Sequence, residues 1–412
     1  MSRHPLTGLV FFSLTKFPRK FQKALDFFGF GYILYRLNFI VCEEFMSKVK
    51  HFVKSNPVLI IAAVLALATS FLVTPDKQYL EYFDFKTLAC LFCTLAVVCA
   101  LKGIRFFTIL ARSIIHATGN LRSAVVALVL ITFVGSMLIA NDMALITFLP
   151  LGYYVLSATG KEEHMAFVFV MQNIAANLGG MLTPFGNPQN LYIYSKYQLG
   201  NVEFMSIMFP LFLTATVMIL ACCMTVKREH IELHETNELH LPKRRTATYL
   251  VLFALSIAIV FRAVPYLLGT VIILIAVFLL DKKALRQVDY CLLLTFVCFF
   301  IFAGNMSRLE VVQNLFDFLL GKSTLLVSIL SCQFISNVPT AILLSQFTDN
   351  FRELLMGVNI GGTGTLIASL ASLITFREYT SHNHGKTLHY IAVFSLLNLL
   401  FLAVLTAEAV LL

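Results

Sequence analysis

The sequence predicts an all-α polytopic membrane protein, arranged as an inverted-topology repeat with two re-entrant hairpins and two broken helices. Three observations carry that expectation. Of 412 residues 58% are hydrophobic and 13% charged, with mean hydropathy +0.83; a soluble chain of this size needs about a quarter charged residues to cover its surface. Apolar runs of about 17 to 20 residues, long enough to cross a bilayer, recur from residue 57 to the C-terminus. Segments rich in Gly, Pro and Asn then interrupt those runs at corresponding places in the two halves of the chain.

Taken in order, the first 54 residues are basic and aromatic ("KFPRKFQKALDFFGFGYILYRLNF") and lack a secretory cleavage site. An amphipathic helix on an anionic inner leaflet is expected there. A further span over 27–45 is the alternative, disfavoured by Arg36 near its middle. Apolar runs follow at 57–73, 84–101, 121–139, 143–158, 164–178, 203–226, 247–263, 264–280, 290–304, 323–335, 338–348, 351–376 and 388–411. Some are too short to cross. Those within 121–158 and within 323–348 each read as one helix folded back on itself, a re-entrant hairpin with polar residues at its bend.

Positive charge sets the orientation. Lys48, Lys50 and Lys54 place the N-terminus in the cytoplasm, and Lys102, Arg105, Arg112 and Arg122 place 102–122 there too. The hydrophilic loop 227–246 and the turn 281–289 join them. On this count the first hairpin enters from inside and the second from outside, so the halves would be inverted, a pattern of secondary transporters. The sequence itself echoes the repeat. "NLGGMLTPFGNPQNL" from Asn177 and "NIGGTGTLIASLASL" from Asn359 share Asn, Gly, Gly, Thr and the last Leu at an offset of 182 residues. The hairpin bends "IANDMALI" from Ile139 and "ISNVPTAI" from Ile335 pair at an offset of 196. Residues 55–226 and 247–412 would be the two halves and 227–246 a cytoplasmic linker.

Other classes are excluded or disfavoured. The net charge of +9 fits cytoplasmic loops, not nucleic-acid binding. Most of the nine cysteines lie within apolar runs; Cys90 and Cys93 form a CxxC with no second pair, and small buried hydrophobes are the simpler reading. His230 and His234 share a solvated connector and are not read as a metal site. No Walker A motif, HExxH or GxSxG in a strand–turn–helix context is present. No enzyme and no cofactor beyond a coupling ion are therefore expected.

Backbone without helical hydrogen bonds is tolerated at membrane depth only where it lines a cavity or is buried in protein. There its free carbonyls attract cations and its free N–H groups attract anions. Asn141 and Asn337, at the bends, offer both an amide oxygen and amide donors. Asp142 is an intramembrane carboxylate, costly and functional by default; once desolvated, such a group holds a proton more tightly and suits proton coupling. An Asp held as a helix N-cap is its structural alternative. Asn141, Asp142, Asn177, Gly179, Asn337, Asn359 and Gly361 form the expected cation set. Arg262 and Glu408 lie near span ends and are expected to reach the interface.

Taken together, "IANDMALITFLP", "NLGGMLTPFGNPQNLYIYS", "FISNVPTAILLSQFTDN" and "NIGGTGTLIASLASLITFREY" resemble the ion transporter superfamily over roughly 55–412. That group holds divalent-anion/sodium symporters, citrate transporters, arsenite permeases and some sodium/proton antiporters. The resemblance implies a homodimer, each protomer with a scaffold part and a transport part that moves like an elevator. It implies that Asn141, Ser336 and Asn337 match residues of tip motifs that touch carboxylates, and that Gly186, Asn187 and Pro188 close the first cation site. With Asp142 and Thr365, these complete the expected substrate set of Asn141, Asp142, Ser336, Asn337, Asn187 and Thr365, and Gly186 joins the cation set. The tips depart from Ser-Asn-Thr: they read Ala140-Asn141-Asp142 and Ser336-Asn337-Val338, the first closer to the arsenite-permease and citrate-transporter branches.

The expected function is thus Na⁺- or H⁺-coupled carriage of a small anion, a di- or tricarboxylate such as citrate, across a bacterial-type inner or plasma membrane. The expected partners are that anion, membrane lipid and a second copy of the chain. An arsenite or antimonite efflux permease or a sodium/proton antiporter is the alternative. A membrane-embedded structural or receptor protein is a third class, disfavoured by the repeat.

Overall fold

Helices form where the apolar runs lie, because only internally hydrogen-bonded backbone is tolerated in hydrocarbon. The structure, a computed structural model, describes residues 50, 52–53, 56–116, 118–231 and 241–412. The basic N-terminal segment expected over 1–54 lies almost wholly outside the described residues, as does 232–240 of the linker. The chain divides into two units, Met1–Ile61 and Ala62–Leu412; the first contributes the start of the first helix, and the remaining helices belong to the second.

The first half comprises α1 (Pro57–Leu72), a 3₁₀ turn (Lys77–Tyr82), α2 (Phe85–Gly103), α3 (Phe106–His116), α4 (Leu121–Ile139), α5 (Asn141–Ala158), α6 (Met165–Gly179), α7 (Pro188–Lys196) and α8 (Asn201–Met224). The second comprises α9 (Lys243–Val260), α10 (Tyr266–Leu280), α11 (Lys282–Arg286), α12 (Tyr290–Met306), α13 (Glu310–Leu320), α14 (Thr324–Ile335), α15 (Asn337–Leu344), α16 (Phe351–Ile360), α17 (Leu370–His382) and α18 (Thr387–Leu411). No strand occurs among the described residues beyond one isolated bridge, Asn120 with His230.

Length separates spans from fragments. Five helical stretches among the described residues are long and apolar enough to cross a membrane: α2, α4, α6 with its flanking turns, α8 and α18. The pair α12 and α13, bent by 95° at Ser307–Leu309, would make a sixth. By contrast α14 has 12 residues and α15 has 8, about 18 Å and 12 Å at 1.5 Å per residue. Neither covers a hydrocarbon core of about 30 Å. The apolar run 351–376 is likewise not one helix: it breaks between Ile360 and Leu370, where the Asn-Gly-Gly predicts a break.

Burial places α6 at the centre. Of its span 89% is inside the protein, against 33% for α8 and 28% for α18, which leaves those two an apolar outer surface suited to lipid. The order of elements also recurs. A long helix, an 11-residue amphipathic helix, a hairpin, a broken helix and a terminal long helix appear as α2 to α8 and again as α12 to α18. Even the caps correspond: Asp84 accepts from Thr87 N at α2 and Asp289 from Leu292 N at α12, each satisfying an orphan donor of a first turn.

The linker is not wholly free. Its start is fastened to the base of the first hairpin: Leu121 N donates to Glu229 O at 2.8 Å and Lys161 pairs with Glu229, while just before it Val226 O accepts from Arg122 Nε at 2.6 Å.

Candidate functional site

Each hairpin turns on one residue in the left-handed region, Ala140 at φ 64° and Ser336 at φ 72°. Neither is glycine, so each holds strain of order 1 kcal/mol or more, kept only because the surroundings fix it. An asparagine follows at the first position of the second arm, and its side chain folds back on the backbone: Asn141 Oδ1 accepts from Asp142 N and Asn337 Oδ1 from Val338 N, both at 2.9 Å.

The tips then dock on the helix breaks in matching fashion. Asn141 N donates to Gly186 O at 3.1 Å, and Asn337 N donates to Ala368 O at 3.0 Å. Thr183 Oγ1 donates to Met137 O at 2.8 Å, and Thr365 Oγ1 to Gln333 O at 3.0 Å. Gly186 N donates to Thr183 O, and Ala368 N to Thr365 O. Each break residue is 182 positions from its counterpart and each hairpin residue 196, the offsets of the two sequence matches. Gly179 and Gly361 obey the same rule. A Cβ on Gly179 would come within 2.6 Å of Ser136 Oγ, and one on Gly361 within 2.8 Å of Cys332. Only glycine lets each broken helix press so closely on the hairpin arm beside it.

A buried amide network joins the breaks. Asn141 Nδ2 donates to Asn177 Oδ1 at 3.0 Å, which ties the first tip to the first break. Asn177 Nδ2 donates to Ser369 Oγ at 3.1 Å, and Asn187 Nδ2 to Asn359 Oδ1 at 3.3 Å. These two bonds cross between the halves and are themselves counterparts at offset 182. Asn359 Nδ2 donates onward to Asn190 Oδ1 at 2.6 Å, and Asn173 Nδ2 to Ser372 Oγ at 3.3 Å. All of these residues are buried.

Of the expected residues, Asn141, Asp142, Asn177, Gly179, Gly186 and Asn187 therefore gather at the first break, and Ser336, Asn337, Asn359 and Gly361 at the second. Thr365 is exposed and turns its hydroxyl to the Gln333 carbonyl, outside the amide network. Asp142 does not cap α5: Ala140 holds that position and no side chain caps it. Asp142 Oδ1 is buried without a hydrogen-bond partner among the described residues, as are Asn173 Oδ1, Asn187 Oδ1 and Gln189 Oε1. Each such acceptor costs about 1–3 kcal/mol if nothing meets it, so the carboxylate oxygen suits a proton or a cation, and the amide oxygens a cation or a hydrogen-bond donor, that the protein itself does not supply.

Three contributors carry weaker sequence signals. Asn190 Nδ2 donates to Gly180 O and Met181 O, satisfying carbonyls freed by the first break. Gln333 Nε2 does the same for Gly361 O and Thr363 O at the second. Ser369 caps α17 and carries one of the crossing bonds. A polar residue in a short apolar arm, and Ser-x-x-Ser before a helix, were the available signals. Arg262 is exposed and donates to Tyr194 O and Gln198 O at the end of α7. Glu408 does not simply reach outward: it accepts from Thr214 Oγ1 at 3.0 Å and its other oxygen is buried.

Comparison with known proteins meets this geometry at the level of family. Residues 45–351 match the model of a family described as citrate transporter. An uncharacterized transporter of Methanocaldococcus jannaschii is 30% identical over 329 residues, 79% of this chain and 89% of that protein. The inner membrane protein YbiR of Escherichia coli is 31% identical over 289 residues, 67% of this chain and 76% of that protein.

Proposed function

This chain belongs to the citrate transporter family and is an integral membrane transporter, and on that premise we propose that it carries a small di- or tricarboxylate such as citrate, coupled to Na⁺ or H⁺. One observation carries the reading: two strained tips dock in the same register on two helix breaks, around acceptor oxygens that have no partner. Cation or proton binding at Asp142, next to Asn141 on the first tip, neutralises the site. The anion then meets the amide donors of the tips without facing a bare carboxylate. Coupling follows from that order, because the anion is admitted only to the neutralised site.

In this reading residues 55–226 and 247–412 are inverted repeats, the N-terminus is cytoplasmic, and hairpins and broken helices form a body that slides past the scaffold of a homodimer. The paired offsets of 182 and 196 in the docking bonds support the repeat. Uptake of labelled citrate and succinate into proteoliposomes, with sodium and pH gradients varied separately, tests the function. Stimulation by either gradient is expected; folded protein indifferent to both would sink it.

A second reading, metalloid efflux or sodium/proton exchange, is favoured by the unpartnered oxygen of Asp142 at a tip that departs from Ser-Asn-Thr. It predicts resistance to arsenite, or sodium-driven proton movement, that Asp142→Asn abolishes.

A further inference from the structure

A groove of about 1010 Å³ runs along the outer side of α4, the first arm of the first hairpin. Val126, Leu130, Val134 and Leu138 line it at four-residue intervals, from Arg122 at the base of the hairpin to two residues short of the bend at Ala140. That stretch of α4 is about 24 Å long at 1.5 Å per residue. It exceeds one leaflet's share of the hydrocarbon core, about 15 Å. Helix α3 adds Phe106 and Leu110 to the wall, and α9 adds Leu250 and Phe253. Val134 is 51% exposed and Leu110 52%, so the described residues leave the groove open.

Its polar residues are few: Asn120, Arg122, Ser123 and Arg228. Asn120 and Ser123 are occupied with each other, since Asn120 Oδ1 accepts from both Ser123 N and Ser123 Oγ. Arg122 Nε is tied to Val226 O, two residues before Arg228, which brings both arginines to the hairpin base. The other two guanidinium nitrogens of Arg122 have no partner among the described residues. Arg228 is exposed and makes no hydrogen bond or ion pair among them. No carboxylate lines the groove, and Glu229, next to Arg228, is paired with Lys161. The groove is thus apolar along its length and doubly cationic at its base.

We propose that this groove holds one anionic phospholipid, its phosphate at Arg122 and Arg228 and an acyl chain along α4. The occupant must be apolar over a leaflet's depth and negative at one end. A second copy of this chain, with net charge +9, brings the wrong sign to that end, and so do the chain's own basic first 54 residues. An anionic phospholipid brings both parts, and basic pockets between membrane helices bind such headgroups.

The chain has no tryptophan, so Val134→Trp places a single fluorophore in the groove. Phosphatidylglycerol with brominated chains should quench it in detergent at a concentration about twenty-fivefold lower than phosphatidylcholine with the same chains, about fivefold for each arginine. Arg228→Gln, at an exposed residue with no bond to lose, should weaken quenching by phosphatidylglycerol about fivefold and leave phosphatidylcholine unchanged. Arg122→Gln should do the same, and Arg122→Lys should restore most of the preference. Equal quenching by the two lipids overturns the site. So does quenching that begins only when residues 1–54 are removed or the protein is dissociated to single copies, since protein then fills the groove. A headgroup preference that emerges only after Glu232, Glu235 and Glu238 are changed to Gln overturns it as well, because the linker would already satisfy the arginines. The readout is lipid binding, so the site stands or falls apart from transport.

Discussion

The two helix breaks begin from one plan and finish differently. Both start Asn-X-Gly-Gly, both seat a hairpin tip through one backbone bond, and both press a glycine on the neighbouring arm. The first is buried, is flanked by Pro184 and Pro188, and has its freed carbonyls met from within by Asn190. The second is opened by Gly364 at φ 114°, exposes Thr365 and Ile367, and is clamped from the hairpin arm by Gln333. Only the first has a carboxylate at its tip, Asp142, where the second has Val338. The shared part holds backbone at membrane depth. The unshared part is chemical: a carboxylate lies at one break and exposed backbone at the other.

The comparison can be broken most sharply at Asp142. Asp142→Asn should reduce gradient-driven transport at least a hundredfold, while Val338→Asp should not replace it; uptake assays decide, and full activity in Asp142→Asn would remove the charge asymmetry. Next come the glycines. Gly179→Ala and Gly361→Ala should each lower stability by about 1–3 kcal/mol through overpacking. Gly179 should be the worse, because its new methyl would come within 2.3 Å of the Phe133 carbonyl, whereas at Gly361 the nearest atoms, of Cys332 and the Gly357 carbonyl, lie at 2.8 Å. Thermal unfolding in detergent measures the order. Gln333→Leu leaves the Gly361 and Thr363 carbonyls unmet and should cost about 1–3 kcal/mol, against little for Met137→Leu at the corresponding place in the first half, where Met137 donates no such bond.

The smallest effect is a control away from both breaks. The Arg308 guanidinium, hydrogen-bonded to Asp76 at 2.8 Å, holds that carboxyl below its usual range. A depressed carboxyl stabilises the fold above its unfolded pKa of about 3.9 and loses that contribution as pH falls through the folded value. Stability should therefore drop slightly further below about pH 4 in the wild type than in Asp76→Asn. A thermal-unfolding pH series that shows identical curves would show that the pair contributes nothing.

Much of this could be read in the chain. Apolar runs, their lengths and the paired "NLGG" and "NIGG" stretches gave the helices and the breaks, because lipid enforces helical backbone and makes every interruption costly. The bends at Asn141 and Asn337 were legible for the same reason. Partners were not. Nothing in the order of residues says that Asn187 meets Asn359, that Asn177 meets Ser369, or that Gln333 rather than Asn190 closes the second break. Nor does it say that Thr365, aligned with Thr183, turns its hydroxyl to the Gln333 carbonyl.

By itself the sequence determined the class, the element order and the places where the helices stop, since these follow from local hydropathy and from glycine and proline chemistry. Which oxygens remain unpaired was decided only by tertiary structure. An amide or carboxylate is free or satisfied according to neighbours that lie as many as 236 residues away, and only folding brings them together.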